Sequence, residues 1–235
     1  MYNFDVEVFL KTYKKTEEII CLLEYERALW NKGYTLIAGI DEAGRGSLAG
    51  SVVAAAVILP VGLIIDGIKD SKELSPKQRE ELYLQILNKS IAVAVGVVNE
   101  REIEKINIKQ ASRLAMKKAV NSLRIYPQYL LIDAEVIDLN LPQLKIVKGD
   151  KLSQSIAAAS IVAKVTRDRM CCQWDSMYPQ YGFKRHKGYC TKEHCQALRV
   201  YGASPLHRKN FVKNVLQQGQ ERFEQISLFF GVNKK

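Results

Sequence analysis

The sequence predicts an α/β fold built on a mixed sheet. Two observations carry that expectation. Three apolar, strand-like runs come first, at 35–42, 51–59 and 91–98. From residue 100 onward helical and strand-like patterns alternate. Strands first and alternation afterwards imply one sheet that holds both antiparallel and parallel neighbours.

Taken in order, residues 4–32 place Ile19, Ile20, Leu22, Leu23, Tyr25, Leu29 and Trp30 at helical spacing, and Gly33 stops that helix. No Pro/Gly/Ser linker follows, so residues 1–33 read as a helical lead-in, 34–218 as the main domain and 219–235 as a tail. The segment "YTLIAGID" is the first strand and "SVVAAAVILP" the second. In "SPKQREELYLQIL" Ser75 is an N-cap, Pro76 fits the first helical position and Gln78 completes a capping box. The third strand is "IAVAVGVV". A helix is expected over roughly 108–123, strands at 128–133 and 143–148, a long helix from near 151, and shorter helices near 191–200 and 208–217.

A chain of 235 residues buries a core that needs no staples. Its Lys and Arg outnumber its acids by 35 to 25, a net charge of +10 that suits a polyanionic partner. The five cysteines, Cys21, Cys171, Cys172, Cys190 and Cys195, are odd in number and two are adjacent. That argues against a disulfide framework and for a reducing compartment. The N-terminal stretch is too charged for a signal peptide and no run reaches membrane-span length, so the expected location is the cytoplasm.

Acids mark the strand ends. Asp41 and Glu42 close the first strand, Asp133 closes "YLLID", and Asp150 follows "IVKG" and opens the long helix. The carboxyl ends of strands in an open α/β sheet line the crevice where ligands bind. Carboxylates gathered there raise one another's pKa unless a cation neutralises them. Hard oxygen donors suit Mg²⁺ or Mn²⁺, and two such ions can activate a water and stabilise the leaving oxygen of a phosphodiester. Each acid also has an ordinary reading as a turn or cap residue, and Asp150 in particular reads equally as a helix N-cap.

The motifs "GIDEAGRGSLAG", "LLIDA", "KGDKLSQSIAAASIVAKVTRDRM", "YGFKRHKGY" and "SPLHRKNF" occur in this order. Through them the chain resembles bacterial ribonuclease HII, the type 2 ribonuclease H, from about residue 18 to residue 212. The resemblance implies a ribonuclease H-like fold: a mixed five-stranded sheet flanked by helices, with helical N- and C-terminal extensions. It implies an endonuclease, dependent on Mn²⁺ or Mg²⁺, that cuts the RNA of RNA–DNA hybrids; a monomer is the expected state. It also implies incision 5′ of single ribonucleotides in duplex DNA, leaving 3′-hydroxyl and 5′-phosphate ends, in the service of ribonucleotide repair.

Carried over by position, Asp41 matches the family's bridging metal ligand, Glu42 and Asp133 match its other ligands, and Asp150 completes the site. Gly44, Arg45 and Gly46 match the segment that reads the ribonucleotide, where glycines let backbone approach the sugar and the 2′-hydroxyl separates RNA from DNA. Tyr189 matches a tyrosine that stacks on the next sugar, and Lys72 a lysine near the phosphates. His186, Lys187, His207 and Arg208 lie in basic motifs expected to touch the nucleic-acid backbone. Ser47 and Ser51 stand where the family often has Pro, and Cys190 where a small residue or Pro is common. The sister family, ribonuclease HIII, usually has Lys at the Arg45 position and a larger N-terminal domain.

Two other readings compete. One is a non-catalytic module on the same fold that binds hybrids. The other is a zinc site from His186, Cys190, His194 and Cys195, whose spacing departs from paired zinc motifs and better fits free thiols. Finally, residues 225–229, "QISLF", resemble the short peptide with which bacterial repair proteins bind the sliding clamp. Leu228 and Phe229 would be its anchors and Gln225 its polar contact. The competing reading is a last amphipathic helix packed on the domain through Phe223, Ile226, Phe229 and Phe230.

Overall fold

The structure, a computed structural model, describes residues 22–68, 71–213 and 215–217. The expected N-terminal helix is therefore seen only in its last part, and Gln225, Leu228 and Phe229 lie outside the described residues.

The described residues form one five-stranded sheet: β1 (Ile37–Ala43), β2 (Val52–Ile58), β3 (Ala92–Val98), β4 (Tyr129–Asp133) and β5 (Gln143–Ile146), in the order β3-β2-β1-β4-β5. β1 runs antiparallel to β2 and parallel to β4, and β4 runs parallel to β5. The sheet is thus mixed, as expected from the sequence. β2 is buried along its whole length, which explains its unbroken apolar run.

The helices are α1 (Glu24–Trp30), α2 (Pro76–Lys89), α3 (Glu100–Asn121), α4 (Gln154–Met177), the short α5 (Phe183–His186) and α6 (Lys192–Tyr201). Residues 209–213 and 215–217 are also helical. α2 starts as its sequence dictates. The Ser75 hydroxyl accepts from the Gln78 amide at 3.3 Å, and the Gln78 side chain accepts from the Ser75 amide at 2.9 Å. α3 begins earlier than the sequence pattern suggests and is broken at Asn107, whose φ is 67°. Each half has its own cap: Asn99 and Glu102 bond each other's amides, and Asn107 Oδ1 accepts from Lys109 and Gln110. The half from 108 on is the helix expected there; the half from 100 to 106 lies ahead of the expected start.

The described chain groups into two compact units that interleave in sequence. The first takes the residues up to Ala43, Val53–Val97 and Arg113–Val165; the second takes Gly44–Val52, Val98–Ser112 and the residues from Thr166 on. In the first, small residues of α4 (Ala157, Ala158, Ala159, Ala163) pack with Ala55 and Val57 of β2 and with Leu82 and Ile86 of α2. The approach of α4 to the sheet is so close that a Cβ on Gly39 of β1 would strike the Ser155 carbonyl group. The second unit has its own core, with Leu48, Cys171, Trp174, Phe183, Leu198 and Val212. Among the described residues no helix is long and apolar enough to cross a membrane.

Candidate active site

Parallel pairing of β1 and β4, with Ile40 opposite Ile132, brings Asp41 and Asp133 to the same end of neighbouring strands. Asp41 is buried, and its carboxyl is held well above the usual carboxylate range. Desolvation is the largest cause, followed by the charges of Glu42 and Asp133. Asp41 Oδ1 accepts from the Glu42 amide at 2.7 Å, and Ser160 also bonds its side chain. Asp133 Oδ1 accepts from the Gly149 amide at 2.7 Å, which ties the strand end to the turn after β5.

Asp150 lies in that turn, a single 3₁₀ turn spanning Gly149–Lys151, and is 5% exposed. It does not open α4. Ser153 does so instead, its hydroxyl accepting from the Ile156 amide at 3.2 Å. The cap reading of Asp150 is thereby corrected: its carboxylate is spared for other work and meets the exposed Lys72 ammonium at 3.3 Å. Asp41, Glu42, Asp133 and Asp150 of the first unit thus lie at or just past strand ends, with Lys72 against Asp150; among the described residues no three such side chains are gathered closely enough to hold a metal ion as they stand.

Gly44, Arg45 and Gly46 follow in the second unit, Gly44 buried, Arg45 half-buried and Gly46 exposed. Gly44 has φ 89°, and a side chain there would collide with the Arg167 guanidinium, so only glycine fits. Two buried arginines hold this loop by its carbonyls. Arg208, fully buried, donates to Gly44 O at 2.8 Å, Arg45 O at 2.9 Å and Gly50 O at 2.9 Å. Arg167 donates to Ser51 O, Ala49 O, Lys187 O and the Ser47 hydroxyl at 2.7–3.1 Å. Burial, and then the neighbouring charge of Arg167, pull the Arg208 pKa down to about 9, which leaves it charged at neutral pH. Ser47 uses its hydroxyl within this network, also bonding Gly44 O and Ala49 O at 3.0 Å.

Tyr189 stands 38% exposed, its ring 5.7 Å from the Arg167 guanidinium carbon. Its loop is fixed by all three histidines of the chain, and the bonds settle every tautomer. His186 donates from Nε2 to Tyr181 O at 2.7 Å and accepts the Gly188 amide at Nδ1. His194 donates from Nδ1 to Tyr189 O at 2.9 Å. His207 accepts the Ser204 amide at Nδ1, so its Nε2 donates to His194 Nε2 at 2.9 Å. Burial disfavours a second proton on His194, which would also face the His207 N–H. Desolvation above all holds both His194 and His207 at about 4, against an ordinary 6.5.

Three expectations change here. His186, His207 and Arg208 were expected to touch nucleic-acid backbone; they are 8%, 2% and 0% exposed and fully engaged inside the protein. Their surroundings make them shapers of the loops that carry Arg45 and Tyr189. Lys187 remains half-exposed, its ammonium on Lys184 O at 2.8 Å. Arg167 escaped the sequence reading altogether. Its signal is its place on α4, four residues from Ala163 and four from Cys171 on a stripe that is otherwise buried and uncharged.

Comparison with known proteins bears on the family and the fold. Residues 38–215 match the family model described as Ribonuclease HII. A ribonuclease HII of Alkaliphilus metalliredigens is 58% identical over 201 residues, covering 83% of this chain and 98% of that protein. The ribonuclease H2 of Pyrococcus horikoshii superposes with a TM-score of 0.67 at 27% identity, over 79% of this chain and 99% of that one. A ribonuclease HII of Archaeoglobus fulgidus, solved in complex with PCNA, superposes with a TM-score of 0.63 at 25% identity, over 74% of this chain and 93% of that one. The mixed sheet and its helices are the ribonuclease H fold, and with sequence and backbone in agreement over most of its length the chain belongs to the ribonuclease HII family of ribonuclease H endonucleases.

Proposed function

We propose that this ribonuclease H hydrolyses the RNA strand of RNA–DNA hybrids and also incises 5′ of single ribonucleotides embedded in duplex DNA, leaving 3′-hydroxyl and 5′-phosphate ends. The observation that supports this most is Asp41, buried beside Glu42 and Asp133 with its carboxyl pushed up by burial and by their charges. Such a cluster fits hard divalent cations, and Asp41, Glu42, Asp133 and Asp150 would hold Mn²⁺ or Mg²⁺. Bound there, a pair of such ions supplies Lewis acidity to the scissile phosphate and its attacking water.

The protein's own groups do the rest. Lys72, paired with Asp150, offers its exposed ammonium to the phosphates. The segment Gly44–Arg45–Gly46 presents backbone and a guanidinium to the 2′-hydroxyl, its path fixed by Arg208. Tyr189 stacks on the sugar after the ribonucleotide, and Lys187 meets the backbone. The net charge of +10 provides the long-range attraction to the duplex. In the cell this activity serves ribonucleotide repair in the cytoplasm, by a monomer. A clamp contact through Gln225, Leu228 and Phe229 belongs to the same proposal. It is supported by the tail motif and by the PCNA complex of the archaeal relative.

The test is end-mapping on a duplex with one ribonucleotide, beside an all-DNA duplex and a uniform hybrid. A single cut 5′ of the ribonucleotide, none in all-DNA, is expected. Cleavage of the hybrid alone would confine the function to long RNA stretches.

A further inference from the structure

Cys190 and Cys195 bring their sulfurs to 3.5 Å. Both are free thiols, Cys190 exposed and Cys195 half-buried. Local structure brings them together. Cys190 leaves the turn that follows Gly188, and Thr191 caps α6 with its hydroxyl on the His194 amide at 3.2 Å. One turn later the Cys195 amide donates to Thr191 O at 2.9 Å, which turns Cys195 back toward Cys190. Thr191, Lys192, Gln196 and Arg199 line an open depression around the two sulfurs.

We propose that Cys190 and Cys195 form a dithiol–disulfide redox site, oxidised by small anionic disulfides that enter this depression. A disulfide bond is about 2.05 Å long, so the sulfurs need to close by roughly 1.5 Å, a shift within reach of side-chain rotation at an exposed cysteine. The exchange balances in two steps. The Cys190 thiolate attacks one sulfur of the small disulfide, forms a mixed disulfide and expels one small thiolate. The Cys195 thiolate then attacks the Cys190 sulfur and expels the second. The protein dithiol loses two electrons and two protons; the small disulfide gains them and leaves as two thiols.

The order of attack follows from the surroundings. Cys190 is open to solvent, whereas burial and the shared bond with Cys190 push the Cys195 thiol up, opposed only by Arg199. Lys192 and Arg199 favour oxidants that carry carboxylates. The other described cysteines lack this arrangement: Cys171 is buried, and Cys172 is its direct neighbour on α4, where adjacent side chains diverge. The site adjoins Tyr189, whose carbonyl accepts from the Thr191 amide and from His194, so oxidation would tie the Tyr189 loop covalently to α6.

Peptide mapping tests the site on the full-length reduced protein exposed to oxidised glutathione, with acid quench and alkylation before a non-reducing digest. The expected result is a Cys190–Cys195 cross-linked peptide that dithiothreitol reverses. Cys195→Ser should accumulate a stable glutathione adduct on Cys190, and Cys190→Ser should react at Cys195 at least about tenfold more slowly. Stable separate adducts on both cysteines of the wild type would overturn the proposal. So would the absence of modification at either while Cys172 is modified.

Discussion

Arg208 and Arg45 carry the same charge and hold opposite positions. Arg208 is fully buried with three carbonyls on its guanidinium, two of them from Gly44 and Arg45 themselves. Replacing it with Lys keeps a charge but loses the fork that meets three acceptors at once. Each buried carbonyl left without a donor costs about 1–3 kcal/mol, so Arg208→Lys should lower the unfolding free energy by at least that much. Arg45→Ala should raise the KM for ribonucleotide-containing duplex, with a smaller fall in melting temperature than Arg208→Lys causes. Thermal melts and steady-state kinetics on the two variants check both. For Tyr189, substitution by Ala should lose more activity on a single-ribonucleotide duplex than on a uniform hybrid. Aromatic stacking on a base is worth about 1–3 kcal/mol, and a contact on the sugar at the lower end of that scale is a difference that parallel cleavage assays detect. At this scale the strand-end positions of Asp41, Glu42 and Asp133 were legible because each closes an apolar run, whereas Asp150 sits in a turn past β5. The buried arginines were not legible, because an arginine's burial depends on carbonyls gathered from distant parts of the chain, and composition cannot show that gathering.

At the scale of elements, what was readable was whatever the sequence encodes locally. The Ser75–Gln78 box and the five strands follow from neighbouring residues. The first half of α3 and the turn holding Asp150 did not, since they rest on Asn99, Asn107 and a contact from Asp133 across 16 residues. The close approach of α4 to β1 is likewise non-local, and Gly39 is its key. Gly39→Ala would push a methyl into the Ser155 backbone, which neither strand nor helix can yield without moving. We expect a loss of at least about 1–3 kcal/mol in urea unfolding. An unchanged midpoint would mean that α4 and β1 are not packed as described.

For the molecule as a whole, two buried histidines couple stability to acidity. His194 and His207 have their pKa lowered to about 4 in the folded state, mainly by burial. Unfolded, they would take up protons near 6.5, so the unfolded chain binds more protons in between. Their contribution to stability is complete above about 6.5 and is lost as pH falls toward 4. A proton NMR titration should find these two imidazoles neutral at pH 5.5, where ordinary histidines are mostly charged. Normal titration of either would contradict the buried, bonded His194–His207 pair.

The central claim is that Asp41 gathers divalent cations for hydrolysis of RNA opposite DNA. Asp41→Asn keeps the shape and removes the charge, so it separates the acid's chemical role from its packing. The most direct measurement is a divalent-cation titration of hybrid cleavage, wild type beside Asp41→Asn, with hybrid binding followed in parallel. Wild-type cleavage should rise from nothing in chelator as Mg²⁺ or Mn²⁺ is added. The variant should cleave at less than about a hundredth of that rate at every concentration while binding hybrid within a few-fold, since backbone contacts dominate affinity. Cleavage that persists in chelator, or a variant that cuts at near wild-type rate, would contradict the claim.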